Sequence, residues 1–185
     1  MEEQFIKYCR EGNIVNLIDY YHDSNFSHEY FDEGFEEACK NGHINVVYFL
    51  SIFDRSTKLE IEPKLKINYD SGFSCAAYYG HLDILKYLYD EKKLVDVNNH
   101  ASLFSLAINN KNLDYVKWVL SVKKENVKEY INDVCYYGNL EILKYFNELE
   151  PTLFDDEKIK KEALNNAELV KNTEIINWIK ENYFT

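Results

Sequence analysis

Residues 76–88 read AAYYGHLDILKYL: two small residues, a glycine, and then apolar residues three and four apart. The same pattern recurs as ACKNGHINVVYFL at 38–50 and as VCYYGNLEILKYF at 134–146. Glycine accepts the positive φ that ends a helix, and the spacing after it is that of one buried helix face. Each stretch therefore predicts a helix, a tight turn and a second helix.

Three weaker copies, YCREGNIVNLIDY at 8–20, AINNKNLDYVKWV at 107–119 and AELVKNTEIINWI at 167–179, complete a series of six. We call the turn residue of each copy its anchor. The anchors are Gly12, Gly42, Gly80, Lys111, Gly138 and Lys171, about 32 residues apart on average, which is a period of repeat proteins. The series predicts one domain spanning 1–185, with units at about 2–31, 32–69, 70–100, 101–127, 128–159 and 160–185.

Three further positions of each unit are apolar, as expected of helices buried against neighbouring units. They lie seven residues before the anchor (Phe5, Phe35, Phe73, Phe104, Ile131, Leu164), five after it (Leu17, Val47, Leu85, Val116, Leu143, Ile176) and eight after it (Tyr20, Leu50, Leu88, Val119, Phe146, Ile179). We assign to the same buried stripe the rings seven after an anchor: Tyr87, Trp118, Tyr145 and Trp178. An all-α protein follows, with two amphipathic helices per unit. The four anchor glycines are expected to have positive φ.

The stretch 76–88 follows the core pattern of ankyrin repeats, and nearly the whole chain resembles that family. The resemblance implies an ankyrin-like solenoid of about six helix-turn-helix repeats. The family's Thr-Pro-Leu-His start is replaced by EGFE at 33–36 and SGFS at 71–74, which predicts short or irregular fingers. The sequence is similar in style to divergent arrays of giant viruses, poxviruses and protists. A tetratricopeptide array has a similar period, but its Trp, Leu-Gly and Tyr signature does not recur here.

Charge and hydropathy narrow the function classes. The formal charge is −11, with 32 Asp and Glu against 21 Lys and Arg. Such a field repels nucleic acid. No apolar run reaches the roughly 20 residues needed to span a bilayer, and residues 1–20 do not resemble a signal peptide. We therefore expect a monomer in the cytoplasm, which is the host cytosol if the protein comes from a virus or pathogen.

Residues that could carry chemistry are explained by packing. Cys9, Cys39 and Cys135 lie three residues before an anchor, where a small buried residue packs between helices. Cys75 lies elsewhere in its unit and is the thiol to test for reactivity. Cys39 and His43 are four residues apart, as metal ligands on one helix face often are, but a zinc site needs about four ligands and the sequence offers no others nearby. The sequence predicts no catalytic residue, no cofactor and no metal, and so no enzyme.

Positions that differ between units and point outward are candidates for binding a partner. On the first helix, the two residues before the anchor include the pairs Tyr78-Tyr79 and Tyr136-Tyr137, and tyrosine is favoured in interfaces. Packing of these rings on a neighbouring unit is an equally good interpretation. The other candidates are Arg10, Lys40 and Cys75, together with Arg55, Lys58, Lys64 and Lys66 of an insertion at 52–70. Pro63 and alternating apolar residues up to Ile67 suggest that this insertion forms a short extended finger.

The leading hypothesis is a protein-protein interaction module, a non-catalytic adaptor or inhibitor. Similarity to viral arrays extends it to a viral or pathogen protein that engages a host protein. The alternative is an acidic decoy that occupies a basic, nucleic-acid-binding protein.

Overall fold

The computed structural model describes residues 2–23, 28–56, 67–91 and 93–184. Within these ranges the chain forms twelve α-helices and no strand. The helices are α1 (Glu2–Glu11), α2 (Ile14–Asp23), α3 (His28–Lys40), α4 (Ile44–Ser56), α5 (Tyr69–Tyr79), α6 (Leu82–Lys86), α7 (Leu103–Asn109), α8 (Leu113–Val122), α9 (Ile131–Tyr137), α10 (Leu140–Leu149), α11 (Glu157–Leu169) and α12 (Thr173–Tyr183). A π-helical turn, Tyr87–Glu91, continues α6, and 3-10 turns span Val97–Asn99 and Val127–Tyr130.

The helices pair as six helix-turn-helix repeats, each with an anchor between its two helices, which confirms the all-α repeat prediction. The chain divides into two compact units, Met1–Asp96 and Val97–Thr185, with three repeats in each. First helices contact first helices: α1, α3 and α5 in unit 1, and α7, α9 and α11 in unit 2. The expected single domain over 1–185 stays a prediction. Repeat two begins at the start of α3, a few residues before the expected boundary at 32.

The core follows the periodic positions of the sequence. Phe5, Phe35, Phe73 and Phe104 are all fully buried, and so are Leu17, Val47, Leu85, Val116 and Leu143. Exceptions lie mostly in the first and last repeats, where Tyr20, Leu164 and Ile176 are half-buried. Tyr87 and Trp118 are buried as expected, whereas Tyr145 and Trp178 of the same stripe are only half-buried. The Trp178 ring still packs against that of Phe154, with centroids 6.0 Å apart. No described helix is long and apolar enough to cross a membrane.

The backbone angle φ is positive at five of the six anchors and negative at one. Gly12, Gly42 and Gly80 have φ of 67°, 77° and 80°, as predicted. Lys111 and Lys171 adopt the same left-handed backbone, with φ of 55° and 56°. For Gly138 the prediction was wrong, because its φ is −74°. That glycine is explained by a close approach instead: a Cβ there would lie 2.6 Å from the carbonyl oxygen of Val134.

Histidines join successive turns in unit 1. The Nε2 atoms of His43 and His81 lie 2.9 Å from the carbonyl oxygens of Arg10 and Lys40 in the preceding repeat. Each imidazole lies against the preceding anchor glycine, where a Cβ at Gly42 would come within 2.7 Å of the His81 ring. These contacts satisfy carbonyls that a helix end leaves without an intrahelical partner. They fix the register of one repeat on the next.

The insertion between repeats two and three is described only at its ends. Helix α4 extends through Ser56, and Ile67 is buried where the chain re-enters the core. The backbone N–H of Asn68 donates to the Asp32 carboxylate at 2.9 Å. The predicted extended finger falls on residues 57–66, which lie outside the described ranges.

Candidate protein-binding surface

Both tyrosine pairs lie on the surface of first helices. Tyr78 is 64% exposed and Tyr79 48%, while Tyr136 and Tyr137 are 39% and 48% exposed. Within each pair the rings meet edge to face, with centroids 5.1 Å apart in α5 and 4.4 Å apart in α9. The pairs therefore present large rigid rings to solvent.

In unit 1 the charged candidates surround one carboxylate. Arg10 Nε donates to Glu37 Oε2 at 2.7 Å, and Lys40 Nζ lies 3.4 Å from Glu37 Oε1. Partial burial raises the pKa of Glu37, but the hydrogen bonds from Arg10 and Lys40 outweigh it and hold the pKa below its usual value. The two cations predicted to bind a partner are thus already paired within the surface.

Cys75 is half-buried on α5 and is a free thiol. Burial raises its pKa, nearby Glu36 raises it further, and Lys40 acts in the opposite direction. A raised pKa lowers the thiolate fraction and so disfavours reactivity. Cys9, Cys39 and Cys135 are fully buried, as predicted, and burial raises the pKa of Cys9 and of Cys135 to about 12.

The surface of unit 2 extends beyond its tyrosine pair. Leu169 and Val170, at the same two positions of repeat six, are 74% and 37% exposed. Helices α9 and α11 are in contact, and Asn166 Nδ2 donates to Asn132 Oδ1 at 3.1 Å between them. Tyr136, Tyr137 and Leu169 thus lie at the ends of two helices that are in contact, and Val170 directly follows α11. Sequence reasoning did not select Leu169 and Val170, although their position relative to the anchor was the signal.

The basic insertion candidates are not placed by the structure. Arg55 belongs to α4, and its side chain lies outside the described part, as do Lys58, Lys64 and Lys66 altogether.

The described residues also bear on whether the chain could carry a metal or a catalytic site. No group of three or more His, Cys, Asp or Glu side chains in those ranges could hold a metal ion. In unit 2 an open depression of about 500 Å³ is lined by Lys117, Tyr145, Glu125 and Glu150, among others. Its charges are largely paired, with Lys123 Nζ 2.9 Å from Glu125 and Lys128 Nζ 3.5 Å from Glu150. The Ser121 hydroxyl that lines the depression donates to the carbonyl oxygen of Trp118 at 2.6 Å, and the Tyr130 hydroxyl donates to the Glu125 carboxylate at 3.2 Å.

Comparison with known proteins agrees with this geometry. Residues 35–133, more than half of the chain, match the family model described as Ankyrin repeats (3 copies). No curated protein and no solved structure matched the chain. Ankyrin repeats are generally protein-protein interaction modules. The extent of the match and the six helix-turn-helix repeats show that the chain belongs to the ankyrin-repeat family.

Proposed function

We propose that this chain is a non-catalytic protein-binding module that holds its partner through the exposed apolar residues of its first helices. Twelve large apolar residues are exposed among the described ones, and six of them lie one or two positions before an anchor. Half of the exposed large apolar residues thus lie at two positions of the repeat, which indicates a surface for binding. The scaffold does not require apolar residues there, because the same positions are Arg10-Glu11, Lys40-Asn41 and Asn109-Asn110 in other repeats.

The chemistry of these residues suits an interface. Tyrosine offers a large apolar area and a polar tip while losing little rotamer freedom. Leu169 and Val170 add exposed apolar area at the end of α11, which favours contact with apolar groups of a partner. An exposed stack of helices offers an extended surface of this kind more readily than an enclosed catalytic pocket.

The test is affinity capture from the native cell, with bound proteins quantified by mass spectrometry. The Tyr78→Ala, Tyr136→Ala double variant is compared with Leu149→Ala, which removes an exposed apolar side chain away from these positions. We expect the double variant to lose its partner at least about tenfold, as interface hot spots do, and Leu149→Ala to keep it. Circular dichroism checks that both variants fold. Undiminished capture by the folded double variant would show that the tyrosines are not the binding residues.

The acidic decoy remains a second candidate because the charge is unevenly distributed. Residues 1–96 contain 18 acidic and 10 basic residues, so unit 1 carries −8 of the formal −11. Binding by charge weakens steeply as salt rises through physiological ionic strength, whereas binding through tyrosine and leucine does not. A salt titration of the captured complex therefore separates the two functions. A viral origin, host partner, cytosolic location and monomeric state stay predictions.

A further inference from the structure

The second helix of every repeat has two outward positions, three and six residues after the anchor. All twelve residues at these positions are exposed. In repeats three, four and five they are an acid and a lysine: Asp83 and Lys86, Asp114 and Lys117, Glu141 and Lys144. Repeat six has Glu174 and Asn177. The repeat therefore folds with charged and polar residues at these positions and does not need apolar ones.

Repeats one and two depart from this rule. Val15 and Ile18 replace the acid and the lysine on α2, and they are 67% and 36% exposed. On α4, Asn45 keeps a polar residue three after the anchor, but Tyr48 replaces the lysine and is 49% exposed. Ile52, one helical turn beyond Tyr48, is 42% exposed. We call these four exposed apolar residues the outer patch. Repeats three to six have charged or polar residues at all positions equivalent to Val15, Ile18 and Tyr48, and the residues equivalent to Ile52 are Asp90, Ser121, Glu148 and Glu181. Packing of the repeat therefore does not explain the apolar residues of repeats one and two.

A groove adjoins the outer patch. It has a volume of about 620 Å³, lies between α4 and α6, and is lined by Ile44, Asn45, Tyr48, Asp83, Lys86 and Tyr87. The Tyr87 ring is buried beside Tyr48, with centroids 5.7 Å apart. Its hydroxyl lies 2.6 Å from Ser51 Oγ, so that polar atom is hydrogen-bonded within the protein. The groove therefore offers ring surface and aliphatic carbon to an incoming apolar side chain.

The charged residues around the outer patch favour one kind of partner over the others. Asp19 follows Ile18, and Asp83 and Asp90 are exposed on the neighbouring repeat, where Lys86 is the exposed base on α6. Unit 1 as a whole carries −8. A second copy of the chain would bring two acidic surfaces together, and an anionic membrane would be repelled. A partner with apolar residues flanked by Lys and Arg is complementary to both the patch and its surroundings.

We propose that the outer patch is a second docking surface, which binds a basic amphipathic helix of a partner protein. An apolar stripe with residues three and four apart fits along the surface of α2 and α4, as in helix-in-groove recognition. One apolar side chain enters the groove beside Tyr48, and basic side chains reach Asp19 and Asp83. This surface lies on second helices and is separate from the first-helix residues of the proposed function.

The probe is a fluorescein-labelled helical peptide of leucine and lysine, about 18 residues long so that its helix is stable in water. A scrambled peptide of the same composition and a leucine-glutamate peptide of the same pattern are the controls. Binding to the full chain is measured by fluorescence anisotropy. The main variant, Val15→Asp with Ile18→Lys, copies the residues of repeat three and leaves the net charge unchanged. Tyr48→Gln removes the ring beside the groove.

We expect the amphipathic basic peptide to bind more tightly than either control peptide. Each outer-patch variant should weaken its binding at least about tenfold, while Leu149→Ala, which removes an exposed apolar side chain outside both surfaces, should leave it unchanged. Equal binding of the scrambled peptide, or full binding by the folded Val15→Asp, Ile18→Lys variant, would overturn the proposal. So would a dimer of the chain that this variant dissociates, because the patch would then be an interface between copies. Loss of the first-helix partner in the capture experiment does not affect these results.

Discussion

The two units build the same repeat with different residues where first helices meet. Eight residues before the anchor, unit 1 has Gln4, Gly34 and Gly72, with glycine in both repeats that follow another repeat, and unit 2 has Leu103, Tyr130 and Ala163. A Cβ on Gly72 would come within 3.0 Å of the Cys39 sulfur and closer still to the Phe35 ring. In unit 1, therefore, the phenylalanine of one repeat lies directly on the backbone of the next. Unit 2 accommodates side chains there.

The turns show the same contrast. In unit 1 all three anchors are glycines with positive φ, and histidines of the following repeat reach back to the preceding one. In unit 2 two lysines take that backbone, and Asn139 Nδ2 donates to the carbonyl oxygen of Lys111 at 3.1 Å. The repeat is therefore defined by its buried face, while its turn can be made by glycine or by lysine.

The largest effect is expected from filling the close contact of unit 1. Gly72→Ala should lower the free energy of unfolding by about 2 kcal/mol, because the Phe35 ring must move to admit a methyl group. The matched change in unit 2, Ala163→Gly, should cost only about 1 kcal/mol, mostly from helix propensity. Urea unfolding of both variants measures the difference. If Gly72→Ala stabilised the chain, helix propensity would dominate and the close contact would be unimportant.

Replacing a lysine anchor of unit 2 by glycine should change the free energy of unfolding by a smaller amount and in the opposite direction. Lys171→Gly should raise the free energy of unfolding by about 1 kcal/mol, since glycine adopts a left-handed backbone without steric cost. Thermal unfolding should show a correspondingly higher midpoint. Gly80→Ala, at an anchor with φ of 80°, is the reverse change and should destabilise. A lower midpoint for Lys171→Gly would mean that the lysine side chain stabilises the turn by more than its backbone strain.

The smallest change in the free energy of unfolding is expected from Glu37, which pairs with Arg10 and Lys40 in unit 1. Glu37→Gln should lower the free energy of unfolding at neutral pH by less than about 1 kcal/mol, as expected of a pair near the surface. Because Arg10 and Lys40 hold the pKa of Glu37 below its usual value, its stabilisation is present above that value and is lost as pH falls through the lowered pKa.

Urea midpoints of wild type and Glu37→Gln should therefore converge in acid. Glu11→Gln removes a carboxylate 4.0 Å from Lys7 in an exposed pair and should change little at any pH. A constant gap between wild type and Glu37→Gln down to strongly acidic pH would contradict the ionic origin of the effect.

Much of the fold could be predicted because its signals are periodic. Phe73 and Leu85 were assigned to the core from their distance to Gly80, and both are fully buried. The exposed tyrosine pairs were also identified as distinct from the scaffold. The outer patch was missed because Val15 and Ile18 are apolar and lie three apart on a helix, as core residues do. Their distance of three and six residues from Gly12 was the sequence signal that places them on the outward face.

The number of repeats, the buried face of each helix and the family could all be predicted from residue spacing, since burial of an apolar stripe against neighbours imposes a regular period. Which side chains the stripe leaves in solvent depends on the packed helices. Tyr87 and Tyr145 occupy equivalent positions, yet one is buried and the other half-buried. Exposure depends on what the adjoining helices place nearby, and residue spacing along one helix does not contain that information. Likewise Gly138 differs from Gly80 because φ is set by how each turn packs.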